Sequence, residues 1–307
     1  MKKNNTYLQN TLVVCLLATV CCILWGSAFP CIKIGYQLFS IESTDIPTQI
    51  LFAGMRFTLA GILAIILGSL LSRQVLIPKL SITPKILKLC LLQTVLQYLF
   101  FYVGLANTSG VKASIIEAAN VFIAILVSSL LFRQEKLSSR KMMGCLIGFA
   151  GVVLINLNGG SIDTTLKFTG EGFILLSTVA YAFSSVLLKS YSQTENPVML
   201  SGYQFVLGGI IMMVCGAVTG GHIKSVTPAG WLMLFYLACI SAVAYSIWGI
   251  LLKYNPVSKV AVFGFMNPVS GVILSALLLR ESSQAFGITA VAALILVCIG
   301  IYTVNKV

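Results

Sequence analysis

Ten apolar stretches, each close to the length that crosses a bilayer, take up almost the whole sequence. They fall at 11–38, 48–71, 86–106, 111–132, 142–157, 172–190, 198–219, 230–252, 259–279 and 285–304. A helix rises 1.5 Å per residue, so about 20 apolar residues span a hydrocarbon layer of ~30 Å. Backbone polar groups in lipid must be bonded within their own segment, and this selects helices for runs of such length. The reading is an all-α membrane protein with ten transmembrane helices, of which the fifth is the shortest. Pro47, Pro84, Pro197 and Pro228 stand just before runs, where a missing N–H costs nothing because the first turn has no acceptor for it. No connecting loop has room for a soluble domain.

The charges agree with a lipid-facing surface. Only 9% of residues are charged against 58% hydrophobic, whereas soluble domains run near 25% charged. A net charge of +12 raises nucleic acid as a partner. The lysines and arginines nevertheless sit singly or in small clusters between apolar runs, so a nucleic-acid face is excluded. The nine cysteines lie in or beside apolar runs, and His222 is the only histidine. They read as small buried hydrophobes, with no metal site and no disulfide framework. Lys2 and Lys3 before an apolar run imitate a signal peptide, but a run from Thr11 to Phe39 is too long for one and reads as the first spanning helix.

Basic residues set the orientation. With ten helices and a cytoplasmic N-terminus, fourteen Lys and Arg fall on the inner side. Lys33, Lys112, Lys167, Lys224 and Arg280 fall outside, and Arg56 lies within helix 2. Both termini are therefore expected in the cytoplasm, in a plasma (bacterial inner) membrane.

The two halves resemble each other. Helix 1 carries Trp25 with Lys33 eight residues on, and helix 6 carries Tyr181 with Lys189 eight residues on. Gly54-Met55-Arg56-Phe57 through Gly61 in helix 2 is matched by Gly202-Tyr203-Gln204-Phe205 through Gly209 in helix 7. At a constant offset of 147, Tyr98 meets Tyr245, Lys112 meets Lys259, Asn120 meets Asn267 and Arg133 meets Arg280. A repeat of five crossings must enter the membrane inverted the second time, a design recurrent in secondary transporters. The expected division is a first repeat over 1–157 and an inverted second repeat over 168–307.

These motifs carry a family likeness. Trp25-Gly26-Ser27-Ala28-Phe29 followed by Lys33, Arg56-Phe57, Glu135-Lys136-Leu137 and the glycines Gly144, Gly148 and Gly151 resemble the EamA-type members of the drug/metabolite transporter superfamily. The resemblance covers nearly the whole chain. It implies a ten-helix basket with a central cavity lined by helices 1, 3, 4, 6, 8 and 9. It also implies amino acids or other metabolites as cargo, with helices 5 and 10 left for support or a homodimer contact. Two positions depart from the family pattern. Pro268 is kept in helix 9 while Val121 stands at its counterpart in helix 4, and Glu117 takes a place where a small or weakly polar residue is expected.

Glu117 is the most informative single residue. Entering near Val111, it should lie about 9 Å deep, where a carboxylate needs a partner or a wet cavity. It reads as a proton-coupling or substrate-contacting acid, or as a structural ion pair with Lys33 or Arg56. Lys33 is a candidate site residue or a lysine snorkelling to the headgroups. Arg56, near mid-membrane, cannot lose its charge and reads as a brace or as an anion-recognition group. The second repeat has Gln204 and Gly264 at the counterparts of Arg56 and Glu117, so coupling or selectivity is expected to reside in the first repeat. Trp25, Tyr98, Tyr181, Tyr245 and Trp248 are candidates to line a solute path or simply to pack. Asn120 and Asn267, paired across the repeats, are candidates for the path or for interhelical bonds. The glycines Gly54, Gly61, Gly144, Gly148, Gly151, Gly202, Gly208 and Gly209 read as close-packing positions.

No Walker loop, zinc motif or catalytic triad is present, so neither an enzyme nor an ATP-driven pump within this chain is expected. The leading expectation is a secondary transporter exporting an amino acid or related small polar metabolite by alternating access. The alternatives are a drug or cation/H+ antiporter using Glu117, a passive channel, or a flippase for a lipid-linked substrate.

Overall fold

The computed structural model describes residues 5–108, 110–157, 167–224, 227–279 and 288–306. Lys2, Lys3 and Arg280 lie outside the described residues. The described residues form helices and turns with no strand. In chain order the helical segments are α1 (Thr11–Leu38), α2 (Ile46–Ser72), α3 (Leu80–Asn107), α4 (Lys112–Leu131) and α5 (Ser139–Leu157). They continue as α6 (Phe168–Ser192), α7 (Pro197–Val218), α8 (Pro228–Tyr254), α9 (257–279) and α10 (Ile288–Asn305). Among the described residues, α1 to α4 and α6 to α8 are long and apolar enough to cross a membrane. The chain is a multi-pass membrane protein.

Local chemistry sets where these helices begin. Asn196 Oδ1 accepts from the amides of Val198 and Met199 at 2.9 and 3.3 Å, with Pro197 at the first helical position of α7. Asp45 caps α2 through the Thr48 amide, and Thr227 caps α8 through the Gly230 amide. Such caps satisfy first-turn donors that nothing inside the helix can reach. Arg73, the residue after α2, adopts a left-handed conformation (φ 53°) and ends that helix.

Packing follows a regular exchange. α2 lies along α7, and α5 lies along α10. α1 packs on α8 and α9, while α6 packs on α3 and α4. α2 also meets α8, and α7 meets α3. In these contacts the partners of a helix in the first half are the second-half equivalents of the partners of its counterpart, whereas the contacts of α6 with α8 and of α5 with α9 have no equivalent of similar extent.

Small residues bring the self-paired helices close. A Cβ on Gly61 of α2 would stand 2.5 Å from the Gly202 carbonyl oxygen and 2.6 Å from the Val206 nitrogen of α7. At the other pair, a Cβ on Gly144 of α5 would stand 2.8 Å from the Gly300 carbonyl oxygen of α10. Both seams are backbone against backbone, as the glycine pattern predicts.

Candidate functional site

Between the halves the helices converge on an aromatic cluster. Trp25 of α1 meets Tyr245 and Trp248 of α8 edge-on, with ring centroids 5.0 Å apart in both pairs. Phe57 of α2 lies 4.4 Å from Tyr98 of α3 and stacks on Phe205 of α7 at 5.2 Å. Phe205 in turn meets Tyr245 at 4.8 Å. The Tyr98 and Tyr245 hydroxyls are 3.1 Å apart, so the two residues matched at an offset of 147 touch each other. Tyr181 of α6 packs against the same cluster. All five aromatic residues expected from the sequence therefore come together, with Phe57 and Phe205 completing them.

A polar layer borders the rings. Arg56 is buried (4% exposed), and its Nε and Nη2 donate to the Ser241 hydroxyl at 3.2 and 2.9 Å. Its guanidinium also stands 5.1 Å above the Phe57 ring, a favourable arrangement for a desolvated cation. At the counterpart, Thr94 donates to Gln204 Oε1 at 2.6 Å and Gln204 Nε2 donates to Gln93 Oε1 at 3.3 Å. Ser241 and Thr94 are themselves 147 residues apart, so each half of the chain bonds a polar residue of α2 or α7 to a hydroxyl of the other half. Sequence reasoning missed both hydroxyls; their shared offset of 147 is the signal that could have found them. One layer carries a charge and the other does not.

The remaining expected residues lie on α1, α4 and α9. Glu117 of α4 is half-buried, close enough to Tyr245 to interact electrostatically, and without a hydrogen bond or ion pair to any described residue. The ion pair with Arg56 considered from sequence does not form, because Ser241 takes the Arg56 fork. Asn120 and Asn267 are half-buried, and the side-chain oxygen of each has no donor among the described residues. The Trp25 indole N–H likewise lacks an acceptor there. A buried polar atom left unmatched costs about 1–3 kcal/mol. Lys33 is exposed.

The EamA-like transporter family model matches residues 12–157 and again 168–306. The chain belongs to the EamA-like transporter family. It is 28% identical over 290 residues to an uncharacterized transporter of Archaeoglobus fulgidus, covering 92% of this chain and 95% of that one. It is 25% identical over 294 residues to the uncharacterized transporter YvbV of Bacillus subtilis, covering 94% and 90%. A protein known from a crystal structure shares the fold at a TM-score of 0.77 and 16% identity, covering 95% of this chain and 96% of that one.

In this EamA-like chain two carboxylates tie the halves together away from the rings, and sequence reasoning assigned neither a role in joining them. Glu135, in the α4–α5 connection, accepts from Lys141 Nζ at 2.6 Å, from the Ser128 hydroxyl at 3.0 Å and from the Ser258 amide of α9 at 2.9 Å. It also accepts from the Ser258 hydroxyl. Burial pushes this carboxyl up, but the bonds from Lys141 and Ser258 outweigh it and hold Glu135 below the ordinary carboxylate value. Glu171, at the start of α6, accepts from the Thr108 hydroxyl at 2.6 Å, from the Lys167 amide at 2.7 Å and from Lys112 Nζ at 3.1 Å. One latch joins α4 and α5 to α9, and the other joins α6 to α3 and α4.

Proposed function

We propose that the chain is a secondary transporter that works by alternating access. In this reading ten helices form two inverted five-helix repeats, 1–157 and 168–307, and the solute sits at mid-membrane in the aromatic cluster. The cargo is a small polar metabolite, an amino acid or related compound, moved outward across the plasma membrane, with both termini cytoplasmic. The observation that carries the reading is the contact between Tyr98 and Tyr245 within a packing whose main contacts between the halves, α2 on α7, α5 on α10, and α1 on α8 and α9 against α6 on α3 and α4, correspond under exchange of the halves. A symmetric scaffold of this kind has two equivalent tilts. Exchanging them opens one face as the other closes.

The two carboxylate latches fit such a cycle. Release of the Glu135–Ser258 contact opens one face, and release of the Glu171–Lys112 contact opens the other. Glu117 is the coupling group in this account: half-buried and without an ion pair to a described residue, it can take up a proton in one state and release it in the other. That same feature favours a second reading, a cation/H+ antiporter in which Glu117 holds the cation directly. Counterflow in proteoliposomes at two pH values tests both, using wild type, Glu117→Gln and Gly264→Glu. Wild-type rate and pH dependence in Glu117→Gln remove Glu117 from the mechanism. Rates that never saturate would make the protein a channel.

A further inference from the structure

Arg56 is a buried cation whose contacts among the described residues are all neutral. Both of its bonded nitrogens share one hydroxyl oxygen, that of Ser241. Its other close neighbour is the Phe57 ring, and Tyr36, Tyr98, Tyr102 and Tyr245 lie within electrostatic reach. No described carboxylate is bonded to it, and no described acceptor is bonded to Nη1. A guanidinium does not shed its proton in a protein, so a desolvated one needs a counter-charge.

Bracing does not explain the charge. The counterpart Gln204 fills the equivalent position with a neutral amide, fully buried, and bonds across the repeats just as Arg56 does. The packing role can be met without a cation, and the first repeat has one all the same. It stands against Phe57 at the edge of the aromatic cluster, and within that cluster the Trp25 indole N–H has no described acceptor.

We propose that the end of the Arg56 guanidinium turned away from Ser241, Nη1 with the second hydrogen of Nη2, receives the carboxylate of a small solute whose apolar part lies against Tyr98, Tyr245 and Phe57. Two parallel N–H donors match the two oxygens of a carboxylate. Among the described residues bonded or stacked in this cluster Arg56 is the one cation, which suits a single negative charge better than a phosphate dianion. The proposal rests on the transporter reading only for its consequence, that the bound carboxylate is cargo.

The test uses purified full-length protein and matched probes: benzoate with benzamide, propionate with propionamide, and L-phenylalanine with its amide. Phenyl phosphate is added as the dianion. At least one carboxylate is expected to raise the melting temperature saturably where its amide does not. Arg56→Gln should weaken that binding at least tenfold, and Arg56→Lys, which keeps charge but loses the fork, should fall between. If no carboxylate exceeds its amide, or Arg56→Gln binds as wild type does, the proposal is overturned. Tighter binding of phenyl phosphate overturns the carboxylate assignment. Should Arg56→Gln fail to fold, the wild-type comparison of acid with amide and the Arg56→Lys variant decide the matter. Counterflow then separates the two claims. A carboxylate that binds through Arg56 without counterflow refutes transport alone, and counterflow of amides or amines without carboxylate binding refutes the receptor alone.

Discussion

Substituting Gly61 by alanine probes the seam between α2 and α7, on which the exchange of packing turns. The new methyl carbon would sit 2.5 Å from the Gly202 oxygen and 2.6 Å from the Val206 nitrogen. Ordinary carbon–oxygen contacts begin near 3.3 Å, so the helices must part locally by about 0.8 Å, and no side-chain rotation can relieve a clash with backbone. Overpacking of this kind costs about 1–3 kcal/mol, and this case belongs at the upper end. Alanine recovers about 1 kcal/mol over glycine in a helix interior. A net loss of roughly 1–2 kcal/mol remains. Gly264→Ala is the control, since a Cβ there meets only Val121 Cγ2, at 3.5 Å. Unfolding in mixed micelles, followed by circular dichroism against increasing sodium dodecyl sulfate, should place Gly61→Ala below wild type and Gly264→Ala at or slightly above it. Equal stability of the two variants would refute the close backbone approach.

Glu135→Gln removes the charge that holds Lys141 and Ser258, and about 2 kcal/mol of stability should go with it. Because the folded carboxyl lies below its ordinary value of 4.5, this contribution is present above that value and disappears as the pH falls through the folded one. The gap in melting temperature between wild type and variant should therefore be constant near neutrality and close on acidification towards pH 3; a gap that widens would contradict the assignment. Asn196→Ala removes the double cap of α7 and should cost about 1 kcal/mol, read from the same micelle titration. Thr94→Val leaves Gln204 Oε1 without its 2.6 Å donor and should cost about 1–3 kcal/mol, with Gln204→Leu added in the same chain recovering part of it.

Much of the helical plan was visible in sequence because lipid makes hydrophobicity a direct measure of length. The run at 11–38 coincides with α1, and the prolines at 197 and 228 open α7 and α8. The fifth apolar run starts at 142, whereas α5 begins at Ser139, because Arg140 and Lys141 continue the helix beyond its apolar part. The aromatic members of the site were legible as residue types, and Tyr98 with Tyr245 also by their offset. Their stacking through Phe57 and Phe205 was not, since phenylalanine in an apolar run carries no signal of its own. Arg56 drew notice as a charge, but its partner Ser241 is a commonplace residue that only the fold brings within reach. The latches at Glu135 and Glu171 were missed for a related reason. Carboxylates at helix ends look like ordinary loop charges until the neighbouring helices are placed.

Site-directed labelling of Glu117→Cys, in a background with the nine native cysteines replaced, tests alternating access without knowledge of the cargo. A membrane-impermeant maleimide is applied from either face, before and after Glu135→Cys and Ser258→Cys are bridged by a reducible bifunctional thiosulfonate. The account predicts labelling from both faces, with the bridge abolishing reaction from the side of residue 135 alone and reduction restoring it. No reaction from either face, or access from both that the bridge leaves unchanged, would contradict it.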